Sequence, residues 1–381
     1  MREAVNMPVF DHEMLREIYE QPKALRSTIA LYVKDNILNP ETAERLAGWC
    51  NSAGEILIAA SGSSRHSGLY AEILFEDLCG LAVDVEYASE YSLRGGSDPR
   101  RPSVLVLSQS GETSDTLAAL TEARHNRQKT LAITNQPAST MAHLADVSMP
   151  LAAGMEKAIP ATKSFTCQLA VLYLVALYEG MRLRSMDSNA LTRHIEQLRA
   201  VPDIIESSLE NWRAKMSVLA QRYKDASTFL YLGRGIHYAI AREGALKLKE
   251  SAYVHAEGYP AGELKHGPNA LVSERVPLVV LATVDHALHA SVLRYAKTLE
   301  LLRYLKAEGA KVIALANADD EQIADLASDV VRIQRTSEYL LPILEVVPLQ
   351  LFAYSMALEH GVDVDRPRNL SKAVVEPTPG V

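Results

Sequence analysis

Cysteine is scarce: the 381 residues contain three, Cys50, Cys79 and Cys167. They are odd in number, widely spaced and each set in an apolar, helix-like context, which fits neither a disulfide framework nor a zinc site. Reduced core thiols and a cytoplasmic setting are expected. No cluster at metal-ligand spacing stands out, so neither a metal nor a redox cofactor is expected. Positive charge is in deficit, with 39 Lys and Arg against 47 Asp and Glu and a net charge of −8. That argues against general nucleic-acid binding, which needs a basic surface. Long apolar runs are missing too: the strongest, Leu169 to Tyr178, is about half of what a membrane span requires. The opening Met1-Arg2-Glu3-Ala4-Val5-Asn6 meets an acid too early for a signal peptide. What remains, 48% hydrophobic and 23% charged, is the composition of a soluble globular protein. The length suits two domains.

Hydroxyl groups, by contrast, are concentrated at Ser108-Gln109-Ser110-Gly111-Glu112-Thr113. Val104 to Leu107 before it reads as a buried parallel strand, and Ser114 to Leu120 after it as the start of a helix. Parallel sheets bind ligands at that edge, and free N–H groups with the helix dipole attract an anion there. A Ser/Thr-rich turn with an N-cap has the same local look. The wider pattern favours a phosphate loop.

Residues 1 to 50 read as helical throughout, broken at Pro22 and at Asn39-Pro40. Glu55 to Ala60 is the first strand, running into Ser61, Gly62, Ser63 and Ser64 and then a helix from His66 to Leu78. Strands at Asp84–Tyr87, Val104–Leu107, Lys129–Thr134 and Asp146–Leu151 follow, with helices at Thr116–His125 and Phe165–Tyr178. This alternation predicts an α/β fold with a parallel, doubly wound sheet. Met186 to Lys224 reads as a helical connection carrying Pro202. The pattern then repeats. Phe229 to Gly235 mirrors the first strand and turn, and Gly62, His66 and Glu72 match Gly233, His237 and Glu243 at one offset. Lys129–Asn135 matches Lys311–Asn317, so two copies of one fold are expected. In the second copy Ala282 to Ala287 brings Asp285 where the first has hydroxyls, so only the first half should hold phosphate. The expected division is a helical segment 1–48, a first domain 49–185, a connection 186–224, a second domain 225–361 and a tail 362–381.

The densest ionisable cluster lies in the second half. Glu243, Lys247 and Glu250 fall on one helix face, and Gly262-Glu263-Leu264-Lys265-His266-Gly267-Pro268 follows as a loop. The bland alternatives are an exposed salt-bridged face and a structural loop histidine. The polar tail Asp365 to Lys372 weakens both, because Lys372 could close over a pocket.

These stretches, with Pro367-Arg368-Asn369-Leu370, resemble tandem sugar-isomerase (SIS) domain proteins, and closely the isomerase half of glucosamine-6-phosphate synthase. The resemblance runs from Glu17 to Lys372. It implies two flavodoxin-like αβα domains and a phosphosugar substrate. By it, Ser64, Ser108, Gln109, Ser110 and Thr113 hold the phosphate, with Ser61, Gly62 and Ser63 in the adjoining turn. Glu250 would move a proton between C1 and C2, and Lys247 and Lys372 would line the reacting end. His266 would open the sugar ring from a second subunit, which implies a homodimer. By the same resemblance Ile159 and Ala161 would belong to the family's sugar-contacting segment, with Ala161 where a serine is usual, and Ser371 stands where the synthase has alanine. The synthase's glutaminase nucleophile is an amino-terminal cysteine. None lies near the start here, so glutamine hydrolysis is not expected. Three readings stay open. They are a deaminating isomerase of an amino-sugar 6-phosphate, a phosphosugar isomerase or ammonia-dependent synthase, and a non-catalytic phosphosugar sensor.

Overall fold

In the computed structural model, residues 10–50, 54–93 and 101–374 are described. The opening Met1 to Asn6, on which the reading of no signal peptide rests, lies outside them. Helices α1 (Glu13–Tyr19) and α2 (Gln21–Tyr32) lead the chain. The expected break at Pro22 falls at Glu20, between α1 and α2, and Pro22 itself sits in the first turn of α2, where its missing N–H forfeits no helical bond. Helix throughout is corrected at Val33–Leu38. There β1 (Val33–Lys34) and β2 (Ile37–Leu38) pair antiparallel. Asp35 and Asn36 turn the hairpin at φ of 51° and 59°, as a type I′ turn requires. Helix α3 (Pro40–Leu46) follows.

The first sheet holds β3 (Glu55–Ala60), β4 (Ala82–Tyr87), β5 (Ser103–Ser108), β6 (Thr130–Thr134) and β7 (Val147–Pro150). All are parallel, in the order β4-β3-β5-β6-β7. Between them run α4 (Gly62–Cys79), α5 (Ala88–Leu93), α6 (Ser114–His125) and α7 (Thr140–Leu144). Helix α8 (Lys163–Arg182) closes this half, and α9 (Ser188–Tyr223) crosses to the next with Pro202 inside it. Helix α4 begins at Gly62, four residues before its expected start at His66, so the Ser-rich turn is also the helix's first turn.

The second sheet repeats the design with β8 (Thr228–Gly233), β9 (His255–Pro260), β10 (Leu278–Leu281), β11 (Val312–Asn317) and β12 (Asp329–Ile333). Its order is β12-β11-β10-β8-β9, the same path through the sheet. Its helices are α10 (His237–Ala252), α11 (His289–Ala307) and α12 (Leu341–Glu359). The duplication reaches single bonds. Thr130 N–H donates to Asp146 Oδ2 at 2.9 Å, and Val312 N–H donates to Ser328 Oγ at 3.1 Å, tying the same two strands in each half.

Strands buried on both faces need apolar residues in sequence rather than in alternation. Ile56, Ile58 and Ala60 join a core shared by both halves, while Leu57 and Ala59 face a separate outer cluster with Val104, Val106 and α6. A third cluster packs β8, β10 and β11 against α11. Helices α8 and α12 run through the shared core and are buried on nearly every side. At 20 and 19 residues both are long and apolar enough to cross a membrane by length and composition, which corrects the reading that no stretch is. Both are mostly buried in the protein. The three cysteines are free and buried, and burial pushes their thiols up to about 11 for Cys50 and about 12 for Cys79 and Cys167.

Candidate active site

Strand order reverses between β4-β3 and β5-β6-β7, and the loops leaving β3 and β5 diverge around a crevice at the carboxyl edge. The β5 loop, Gln109–Thr113, turns at Gly111 with φ of 66°. A Cβ there would sit 2.1 Å from Ser139 Oγ, so only glycine fits. Neighbouring chain fixes the loop from behind: Asn135 N–H donates to Gln109 O at 3.1 Å, and Thr140 N–H to Glu112 Oε1 at 2.7 Å. Inside the loop Ser108 Oγ lies 2.9 Å from Thr113 Oγ1, and Glu112 N–H donates to Ser110 Oγ at 3.1 Å. These bonds gather the hydroxyls at the start of α6.

Ser61, Ser63 and Ser64 come from the β3 turn to the same pocket, whose wall also includes Ser108, Gln109, Ser110 and Thr113. Ile159, Ala161, Lys247, Glu250, Ser371 and Lys372 complete it, together with Leu107, Thr116 and Leu370. Of the residues expected from sequence, Gly62 and His266 do not line it. Gly62 is exposed in the first turn of α4 at φ of 55°. His266 is exposed on the 3₁₀ turn Glu263–His266 of the second half. A larger cavity, about 540 Å³, lies at the amino ends of the second sheet's strands by Arg222, Arg275 and Lys311, without the hydroxyl loop. Among the described residues no group of three or more His, Cys, Asp or Glu is placed to hold a metal ion.

The pocket's charged wall is built on α10. Gly244 lets this helix approach closely, since a Cβ there would meet Leu349 Cδ1 at 2.7 Å and Tyr231 Cε1 at 2.9 Å. That seats Lys247 fully buried between two carboxylates, bonded to Glu250 Oε2 and 3.4 Å from Glu243 Oε1. Burial alone would favour the neutral amine, but Glu250 and Glu243 outweigh it and raise the Lys247 pKa. Lys247 is therefore a cation, and its partner Glu250 is the part-exposed member of the ladder. Glu243 is buried, and burial there would raise its pKa, but Lys247 and the hydrogen bond from His66 lower it. It accepts from Ser63 Oγ at 2.9 Å and pairs with His66 Nδ1 at 2.8 Å, linking α10 to α4. Burial depresses the His66 pKa despite Glu243, so His66 is a neutral N–H donor.

The tail lies across the opening. Asp365 caps α1, accepting from Glu13 N–H at 2.9 Å and Met14 N–H at 2.7 Å, while its carbonyl accepts from Ile159 N–H at 3.1 Å. Arg368 N–H donates to Tyr253 Oη at 2.6 Å, and Ser114 N–H donates to Val374 O at 3.0 Å. Lys372 Nζ donates to Glu156 Oε2 at 2.8 Å and to Ala158 O at 2.7 Å. Glu17 underlies the Ile159 loop, accepting from Lys157 N–H and, at 3.3 Å, from Ala158 N–H. Burial, reinforced by Glu156, raises Glu17 to about 7 against the Lys157 N–H bond and the charges of Lys163 and Lys372. Sequence reading missed His66, Glu17 and Glu156. Each is an ordinary helix or loop residue until the fold brings distant segments against it.

The second half lacks this pocket's chemistry at its corresponding edge. Asp285 there accepts from Glu338 N–H at 3.1 Å, and His237 bridges Glu345 and Glu338.

Comparison with known proteins agrees with this architecture. The SIS domain family model matches residues 51–178 and 222–360. The chain is 38% identical over 380 residues to glutamine–fructose-6-phosphate aminotransferase [isomerizing] of Caldanaerobacter subterraneus subsp. tengcongensis, covering 98% of this chain and 60% of that protein. The same-named protein of Thermus thermophilus is 39% identical over 372 residues, with the same two coverages. The chain thus spans about 60% of the length of these relatives. Among solved structures, the C-terminal domain of glucosamine-fructose-6-phosphate aminotransferase from Francisella tularensis superposes with a TM-score of 0.85 at 32% identity, over 94% of this chain and 99% of that one. Glucosamine-6-phosphate deaminase from Thermotoga maritima shares the fold, with a TM-score of 0.72 at 21% identity over 96% and 100%. The chain belongs to the SIS domain family, as a tandem pair of αβα domains homologous to the isomerase part of glutamine–fructose-6-phosphate aminotransferase.

Proposed function

We propose that the chain is a phosphosugar isomerase that deaminates an amino-sugar 6-phosphate, converting glucosamine 6-phosphate and water to fructose 6-phosphate and ammonia. One observation carries the reading: a hydroxyl-lined loop at a helix N-terminus and the Lys247–Glu250 pair of the other domain meet in a single pocket. The Ser108–Thr113 loop and Ser64 take the phosphate through neutral donors and the α6 dipole. Binding the phosphate then orients the far end of the sugar. Glu250 removes the C2 proton of the opened sugar and returns it to C1, and water hydrolyses the resulting C2 imine. Lys247 and Lys372 stabilise the enolamine oxygen as charge develops. Ring opening falls to His266 of the partner subunit, in a homodimer whose sites are shared.

The names of the relatives favour a second reading, in which the same site aminates fructose 6-phosphate with ammonia. A non-catalytic sensor would need the phosphate loop but not the Glu250, Lys247 and Lys372 set. Incubating the chain with glucosamine 6-phosphate, and separately with fructose 6-phosphate plus ammonium, tests all three. Ammonia release in the first supports deamination, and glucosamine 6-phosphate formed only in the second supports amination. Binding without turnover in either leaves the sensor.

A further inference from the structure

We infer that Glu156 is a positioning residue, one that holds the Lys372 ammonium over the pocket and ties the tail to the loop carrying Ile159 and Ala161. The inference rests on reading the pocket as a phosphosugar site and assigns a role to a residue outside its wall.

The Glu156 side chain is fully enclosed and receives four donors. Oε1 accepts from Thr162 N–H at 3.0 Å and Ser164 N–H at 3.1 Å, and Oε2 from Ser164 Oγ at 2.7 Å and Lys372 Nζ at 2.8 Å. The two amides open α8, so the carboxylate also meets the positive end of a long helix. Burial acts to raise its pKa, but Lys372 and the other donors outweigh that and lower it, so the group is an anion. A buried anion of this kind needs its cation, and removing Lys372 would strand it. An ammonium has three N–H donors. Lys372 uses one on Glu156 and one on Ala158 O, which leaves one for a substrate oxygen. The tail around it has no helix or strand of its own, so the direction of that third donor is set by Glu156 and Ala158.

Glu156→Gln keeps the volume and separates the two jobs. The amide oxygen can still accept from Thr162 and Ser164, while its NH₂ faces the ammonium and cannot accept from it. We expect kcat to fall roughly 10- to 100-fold with KM changed by less than about threefold, the pattern of a misplaced reacting group. Glu156→Asp, which keeps the charge, should recover part of the loss. Lys372→Met combined with Glu156→Gln should be no slower than Lys372→Met alone, because both remove the same contact. Amide exchange at the contacts that dock the tail, Ser114 N–H on Val374 O and Arg368 N–H on Tyr253 Oη, should quicken in Glu156→Gln while α8 stays as protected as in the wild type. Effects that multiply in the double variant, or wild-type kcat with an unchanged tail, would overturn the inference. Exchange that quickens through α8 and tail alike would also overturn it, as loss of fold. Should the wild-type chain turn over no phosphosugar, the reading of the pocket fails, and tail exchange alone decides the role of Glu156.

Discussion

Ser110 and Thr113 are held before any ligand arrives, Ser110 Oγ by Glu112 N–H and Thr113 Oγ1 by Ser108 Oγ. Each hydroxyl keeps capacity for a phosphate oxygen, since a hydroxyl both donates and accepts. Ser110→Ala and Thr113→Ala should each raise KM for the phosphosugar about tenfold, one charge-assisted hydrogen bond apiece. Unchanged KM in both variants would move the phosphate elsewhere. The Ser-rich loop and the Glu243, Lys247 and Glu250 cluster stood out in the sequence because polar groups are dense there over a few residues, while the roles expected of Glu250, Lys247 and Lys372 came from the family resemblance. Glu156 and His66 were not. Their meaning depends on partners at Lys372 and Glu243, 216 and 177 positions away, which no local pattern carries.

At the scale of elements, α10 and α12 meet through a buried ionic cluster rather than through apolar contact alone. Burial opposes charge on His237, but Glu345 and Glu338 outweigh it and raise its pKa to about 10. Glu338 is correspondingly held down at about 2 against the effect of burial. The folded chain therefore keeps a proton on His237 that the unfolded chain sheds above pH 6.5 or so. Its stabilisation is complete below that pH and lost as pH climbs toward 10, at up to about 1.4 kcal/mol per pH unit. Glu338 has the opposite sign: its contribution is present above about 4.5 and lost as pH falls toward 2. Denaturant unfolding at pH 7 and 9.5 should show the alkaline loss in the wild type and a smaller loss in His237→Gln. Equal losses would remove His237 as the cause. The inner strands β3, β5, β6, β8 and β11 were easy to read at this scale because they are buried and their apolar runs continuous. The edge strand β9, only partly buried and without an apolar run, was not expected. The hairpin at Asp35-Asn36 was not, because Val33, Lys34, Ile37 and Leu38 are too few residues to establish a two-residue period.

For the whole molecule, the duplicated sheet order leaves one hydroxyl-lined pocket and one edge filled by the chain's own carboxylates. The internal match of Lys129–Asn135 with Lys311–Asn317 makes that duplication visible in the sequence itself. Where His266 acts was beyond the sequence, and it lies exposed outside its own chain's pocket. If it serves a partner subunit, His266→Ala and Glu250→Gln should each be nearly inactive alone. Mixed with subunit exchange, about half the dimers are hybrids with one complete site of two, so activity should return to about a quarter of wild type. No recovery despite proven exchange, or a fully active monomer by size-exclusion chromatography, would exclude the shared site. The central claim, that the Glu250 carboxylate carries a proton between C1 and C2, is tested most directly by turnover of glucosamine 6-phosphate in Glu250→Gln. With fold and substrate binding intact, kcat should drop by roughly two to four orders of magnitude. Turnover near the wild-type rate would contradict the account.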